Sequence, residues 1–306
     1  MVKQRIPKKS DCLREMVAFY LNGPRFLALG AKSQYEYRSH LTKACFTTLA
    51  DGRFLGDVQL QHLRTWHFAE AYEQWLEAGI RSANYRKAAL SAAWKYGMQR
   101  GIVDTNPLSL VDTKSTKPRK VMWQREHVTA FLDVAYSDWR WRSIGLIVHM
   151  AYEWAQRVGD MRVLKWSSLD LQAQRLDLTQ SKRNADVHLP ISDGLTKMLV
   201  QQKQDFGFQK YVAPRVVAQA GSYSPYATEE IHKLINEVKT EANLPSELTA
   251  MDLRRTAITE MVEAGVDLLG VMQVSGHRNP QSVKPYLVNT FSGASAALAK
   301  RNGGKS

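Results

Sequence analysis

Apolar residues recur at helical spacing through the first hundred positions. Between Asp11 and Leu21 they stand at 13, 16, 17, 20 and 21, one stripe of an amphipathic helix, and Asn22-Gly23-Pro24 ends it. Ser33 to Leu49 repeats the pattern, with Ser33 placed to cap and Glu36 three residues on. Thr65 to Ala78, stopped by Gly79, and Ser82 to Gln99, stopped by Gly101, complete four helices, enough for an independent bundle. No strand pattern appears before residue 120.

Beyond that point the period changes along the chain. Glu126–Tyr136 and Trp141–Ala155 are helical. Arg175–Gln180 and Asp186–Ile191 alternate apolar with polar, and Ser181-Lys-Arg-Asn-Ala185 between them is a polar turn, so a hairpin with Lys182 near its tip is expected. Helical spacing resumes at 193–204, 228–242, 251–264 and 268–273, and Val274-Ser-Gly-His-Arg-Asn-Pro280 breaks it. The expected fold class is mainly α with a small β-sheet.

Charge divides the chain in the same place. The net charge of the 306 residues is +13; residues 1–120 carry 20 Lys+Arg against 10 Asp+Glu, and the remainder 22 against 19. Asp112-Thr-Lys-Ser-Thr-Lys-Pro-Arg-Lys120 holds no apolar residue and reads as a basic linker, just after the helix-stopping Asn106-Pro107. Its cations Lys114, Lys117, Arg119 and Lys120 are candidates for contact with a polyanionic partner, which charge alone does not name.

Several classes drop out. Cys12 and Cys45 are too few for a disulfide scaffold or a zinc cluster, which points to a reducing, cytoplasmic setting. No apolar stretch follows the basic start as in a signal peptide, and the longest apolar run, about 144–155, contains His149 and Glu153 and is too short to span a bilayer. GxxxxGK[ST], GxGxxG, HExxH and GxSxG are all lacking, so neither a nucleotide cofactor nor a metal is expected.

What remains is a set of cations, one histidine and one late tyrosine, and in chain order they resemble the tyrosine recombinase/phage integrase family. Ala155-Gln-Arg157-Val-Gly-Asp160-Met-Arg-Val-Leu164-Lys-Trp166 resembles its first arginine box. Met251-Asp-Leu-Arg254-Arg-Thr256 resembles its HxLRRT-type box, and Ser275-Gly-His277, with Tyr286 nine residues later, resembles the box that ends in the nucleophile. Lys182 lies where the family places its catalytic lysine, and Gly101–Pro107 resembles the closing turn of its helical core-binding domain.

The resemblance implies a helical, SAM-like core-binding bundle and an α+β catalytic domain forming a C-shaped clamp on duplex DNA. It implies strand exchange through a 3′-phosphotyrosyl intermediate, in a homo-tetramer at a specific attachment site, with no cofactor and with accessory DNA-bending or directionality factors as further partners. Chemistry explains the residue types. Two guanidiniums, Arg157 and Arg254, suit the nonbridging oxygens of a phosphodiester. A phenol, Tyr286, attacks phosphorus and stores the bond energy as an ester. The ammonium of Lys182 protonates the leaving 5′-oxygen, His277 hydrogen-bonds the phosphate or the phenol, and Asp160 orients a neighbouring group.

Two departures stand out. Met251 occupies the usual histidine position, and a thioether exchanges no proton at neutral pH. His277 or Asp252 is then the expected substitute; the competing reading is a weakened recombinase that still binds DNA. Pro285 precedes the nucleophile, which suggests a helix starting there after a loop from His277. The expected organisation is a basic tail over 1–9, a helical DNA-binding domain over 10–111, the linker 112–120, a catalytic domain over 121–290 and a tail over 291–306. Ser292–Leu298 reads equally as a segment that docks on a neighbouring protomer and as a frayed end. The early bundle leaves no room ahead for a folded arm-site-binding domain, so Lys3, Arg5, Lys8 and Lys9 are candidates for a short arm. A phage or prophage integrase is expected first, a Xer-like resolving recombinase second.

Overall fold

The computed structural model describes residues 5–116, 119, 121–182, 184–286, 294–295, 298–299 and 301–302. Lys3, Lys117, Lys120 and most of 292–298 therefore lie outside the described residues. The chain divides into two compact units, Met1–Arg119 and Lys120–Ser306.

The first unit is helical: α1 (Leu13–Leu21), α2 (Pro24–Leu27), α3 (Ala31–Cys45), α4 (Thr65–Leu76) and α5 (Ile80–Gln99). Its strand-like features among the described residues are two isolated bridges, Cys12 with Gln59 and Thr48 with Phe54. Large aromatic side chains fill the core, with Tyr20, Phe26, Phe68, Trp75 and Trp94 almost wholly buried. Burial of an indole leaves one donor to satisfy. Trp75 Nε1 donates to Thr47 Oγ1 at 2.7 Å and Trp94 Nε1 to the Thr105 carbonyl at 2.7 Å. The expected cap at Ser33 does not form, because α3 starts at Ala31 after Gly30 and Ser33 lies inside the helix; α5 likewise starts earlier than expected, at Ile80 after Gly79. In both cases a glycine with extended or left-handed backbone begins the helix earlier than the side-chain signal suggests. Of the proposed arm, Arg5 is ion-paired with Asp11 at 2.9 Å and Lys9 with Asp104 at 2.5 Å, so both lie against the bundle. The basic segment is likewise tied down at its start: Asn84 donates to the Lys114 carbonyl, and the Lys114 N–H donates to Tyr72 Oη.

The second unit runs α6 (Arg125–Ser137), α7 (Trp139–Glu153), α8 (Val158–Met161), β1 (Leu169–Asp170), β2 (Arg175–Thr179), β3 (Asp186–Pro190), α9 (Asp193–Phe206), α10 (Thr228–Glu241), α11 (Ala250–Glu263) and α12 (Leu268–Ser275). Its antiparallel sheet has the order β1-β2-β3, and Leu176 opposite Leu189 sets the hairpin register. The two-residue β1 carries too little alternation to be read from sequence. Helix α7 is buried almost all round, from Ile144 to Ala151, and packs against α6, α9, α10 and α11. Trp123 joins the start of this unit to α11: its N–H donates to Thr256 Oγ1 at 2.9 Å and its indole to the Thr249 carbonyl at 2.9 Å. Helix α12 continues through Val274 and Ser275, past the expected break, and Gly276 closes it with φ +68°. Among the described residues no helix is long and apolar enough to cross a membrane.

Candidate active site

Helix α7 ends in a tight reversal. Ala155 takes the left-handed φ of +50°, the Gln156 N–H reaches back to the Ala151 carbonyl, and Arg157 emerges as the N-cap of α8. A left-handed alanine costs about 1 kcal/mol or more, and here it aims Arg157 at the hairpin. Arg157 Nη1 donates to Gln180 Oε1 at 3.0 Å and lies 3.6 Å from Asp160 Oδ2. Asp160 is buried, and its Oδ1 accepts from both the N–H (3.2 Å) and the hydroxyl (2.5 Å) of Ser181, so this carboxylate clamps the base of the turn that carries Lys182. Lys182 itself is exposed. The Asn184 carbonyl, on the far side of that turn, accepts from Arg278.

Arg254 comes from the middle of α11 and is 7 % exposed. Its Nη2 donates to the Ser275 carbonyl at 2.7 Å and faces His277 Nε2 at 3.4 Å. Ser275 Oγ donates to the Val271 carbonyl at 2.5 Å, which commits its hydrogen. His277 Nδ1, 2.7 Å from that oxygen, is therefore the donor, and this network assigns the ring proton to Nδ1 and the lone pair to Nε2. The ring of Tyr286 stands 5.8 Å from that of His277, with the Arg255 guanidinium 6.0 Å from the phenol ring.

Arg157, Asp160, Arg254, His277 and Tyr286 thus converge through the Ser275–His277 turn and the hairpin base. Met251 does not join them by burial: it is 70 % exposed, on the first turn of α11, beside a cavity of about 290 Å³ shared with His232, Asn236 and Thr249. Asp252, the other expected substitute for the missing histidine, works as a cap. It is buried, and its carboxylate accepts from the N–H (3.0 Å) and hydroxyl (2.7 Å) of Thr249, the work of a helix-capping group. The expected loop after His277 is instead two successive 3₁₀ turns, Pro280–Ser282 and Lys284–Tyr286, and Pro285 sits inside the second, its carbonyl accepting from Arg255. Asn279 caps the first turn through Gln281 N–H, which is why the backbone is ordered into turns there. Of the linker cations, Lys114 and Arg119 are exposed.

Three other tyrosines of this unit are buried or half-buried. Burial raises Tyr152, hydrogen-bonded to Glu260, to about 12, and raises Tyr226 to about 12 as well; Tyr136 is pushed up further still by burial. Among the described residues no group of three or more His, Cys, Asp or Glu side chains is arranged to hold a metal ion. Sequence reasoning missed Gln156, Gln180, Ser275 as a side chain, and Arg278. Their types are common and their partners distant in sequence, so no spacing announces them.

The model of the phage integrase family matches residues 124–292. The chain belongs to that family. It is a tyrosine recombinase, a DNA strand-exchange enzyme. The tyrosine recombinase XerC of Pediococcus pentosaceus is 24 % identical over 243 residues, 76 % of each protein. The recombinase also shares its fold with a lambda integrase dimer bound to a COC′ core site, at TM-score 0.72 and 19 % identity over 91 % of this chain and 77 % of that one. A lambda integrase tetramer bound to a Holliday junction gives 0.70 and 18 %, covering 94 % and 78 %.

Proposed function

We propose that this recombinase is a phage or prophage integrase that cuts and rejoins duplex DNA at an attachment site, with Tyr286 as nucleophile. The observation that carries the reading is the meeting of Arg157, Arg254, His277 and Tyr286 around one turn, Ser275–His277. Arg157 and Arg254 grip the nonbridging oxygens and neutralise the charge that grows on them. Tyr286 Oη forms a bond to phosphorus as the bond to the 5′-oxygen breaks. The leaving oxygen takes a proton from Lys182, and His277 Nε2, bearing the lone pair, takes the phenol proton in place of the imidazole missing at Met251. Asp160 holds the Lys182 turn through Ser181. Lys114, Lys117, Arg119 and Lys120 follow the phosphate backbone. The working assembly is a homo-tetramer on DNA, in keeping with the lambda integrase tetramer of the same fold.

A second reading, a Xer-like resolving recombinase, is favoured by the length of the XerC match, 76 % of both proteins. A third, a recombinase-derived DNA-binding protein of weakened activity, is favoured by Met251 and by the commitment of Asp252 to its cap. The test is a nicked suicide duplex, selected by the wild-type protein from a random-sequence pool by covalent trapping in EDTA. A 3′-linked adduct that disappears in Tyr286→Phe is expected; an adduct that survives the substitution removes Tyr286 from the role. Absence of any adduct favours the third reading. A direct repeat beside the gene then separates an integrase from a resolving enzyme.

A further inference from the structure

One fully buried side chain among the two arginines has no part in the chemistry above. Gln180 is 0 % exposed and is the last residue before the hairpin tip. Its backbone closes the turn: its N–H donates to the Ala185 carbonyl at 2.9 Å, and its own carbonyl accepts from Asn184 at 3.0 Å. Its side-chain amide is fully used. Oε1 accepts from Arg157 at 3.0 Å, while Nε2 donates to Gln156 Oε1 at 2.6 Å and to the Ser275 carbonyl at 2.9 Å. That Ser275 carbonyl is the atom to which Arg254 Nη2 donates. A Cβ on Gly276 would lie 2.5 Å from Gln180 Nε2, so the glycine is what lets the amide approach the turn.

We propose that Gln180 is a positioning residue for strand cleavage: its amide sets Arg157 against the Ser275–His277 turn that also holds Arg254, and its backbone ties the Lys182 turn to the same point. The proposal rests on the reading of the two arginines as the phosphate-binding pair. The site needs one acceptor facing a guanidinium and two donor hydrogens facing two carbonyl oxygens, a complement that a primary amide provides. A carboxylate at this position would turn an oxygen toward Gln156 Oε1 and the Ser275 carbonyl and would neutralise Arg157. A neutral acceptor holds Arg157 by one nitrogen without adding a second carboxylate to that of Asp160, already 3.6 Å away.

The test is Gln180→Met, which keeps the volume and removes all three bonds. The probe is the nicked duplex selected by wild-type trapping, made with a normal phosphate or with an uncharged methylphosphonate at the mapped scissile position. With the phosphate, cleavage by the Met variant is expected to fall about 100-fold, the cost of a misplacement on the order of 1 Å, while DNA affinity stays within threefold. With the methylphosphonate there is less charge to neutralise, so the deficit relative to wild type should shrink at least tenfold. A loss of general structural integrity would lower both rates equally. Thermal melting checks the fold; if Gln180→Met does not fold, Gln156→Met frees the same amide from its other side and should show a smaller, about tenfold loss with the same dependence on the linkage. Wild-type trapping with the Met variant cleaving phosphate within threefold of it, or with equal deficits on both linkages, overturns the role of Gln180 alone. Failure of the wild type to trap any duplex overturns the reading of the site and the inference with it.

Discussion

The two units bury different things. In Met1–Arg119 the buried polar side chains among the described residues are Thr47 and His67, set in an aromatic core. In Lys120–Ser306 they include Gln156, Asp160, Gln180, Lys239, Asp252, Arg254, Ser275 and His277. Buried polar groups cost free energy unless every bond is made. The second unit therefore gives up stability for placement, whereas residues 1–120, with an excess of +10, bury no Lys, Arg, Asp or Glu among those described. The difference predicts that substitutions in the first unit act on folding and affinity, and those in the second on rate.

The largest effect tests the second unit. Arg254→Lys keeps the charge but loses the planar fork that donates to the Ser275 carbonyl while facing His277. Trapping of the covalent adduct should slow by about 10³-fold or more, with affinity for the same duplex little changed. Loss of affinity equal to the loss of rate would make Arg254 an ordinary binding residue. Next comes the first unit: Trp94→Ala empties a fully buried site and strands the Thr105 carbonyl, so denaturant unfolding of that unit should show a loss of about 3–5 kcal/mol. A loss below 1 kcal/mol would mean that the aromatic core is not what holds the bundle.

These two residues also show what the sequence makes legible. Trp94 lies in a stripe of helical period, and Arg254 stands in a box whose residue types are dictated by phosphate chemistry; both signals are local. Gln180 is not legible, because its worth comes from Arg157, Gln156 and Ser275, which only the folded backbone brings to it. Helix starts are obscured for the related reason that Gly30 and Gly79 act through backbone conformation and show no side-chain signal. Asp252 is readable as an acid but not as a cap, since its partner Thr249 lies before the expected helix start.

Met251→His asks whether a second imidazole helps. The position is 70 % exposed, so the fold should tolerate the change, and single-turnover trapping should speed up by about tenfold, below the usual 10²–10⁴ of a general acid or base if His277 takes the phenol proton as proposed. Much slower cleavage would show that the position has been assigned the wrong role. A smaller effect belongs to the linker: Lys114→Gln with Arg119→Gln should lower the slope of log affinity against log salt by about 1 for each phosphate no longer neutralised, and leave the rate at saturating DNA unchanged. An unaltered slope would remove both cations from the phosphate-tracking surface.

The smallest effect separates the units by pH. Burial lowers the pKa of His67, whose Nδ1 accepts the Arg64 N–H, a bond that imidazolium cannot make; burial and nearby Arg86 lower that of His40. Each is held below its ordinary value of 6.5, so the folded bundle prefers the neutral ring. Its stabilisation is whole above pH 6.5 and drains away as pH falls from there through the folded pKa, by at most about 1.4 kcal/mol per histidine per pH unit. On the acid side of neutral, the shifted groups of the second unit include two partly buried or ion-paired carboxylates. Glu153, although burial pushes it up, lies below its ordinary 4.5 because His149 and Ser192 hydrogen-bond it, and Asp205 lies below 3.8 because of Arg142 and Gln201. Their contribution is intact above the ordinary carboxylate range and is lost only below it. Amide protection factors, in which the fall of intrinsic exchange with pH is divided out, should therefore drop between pH 7.5 and 5 in α3 and α4 before α7 and α9, and His67→Gln, which still accepts the Arg64 N–H, should flatten the first response. Earlier softening of α7 and α9 would mean that the histidines of the bundle do not set its acid limit.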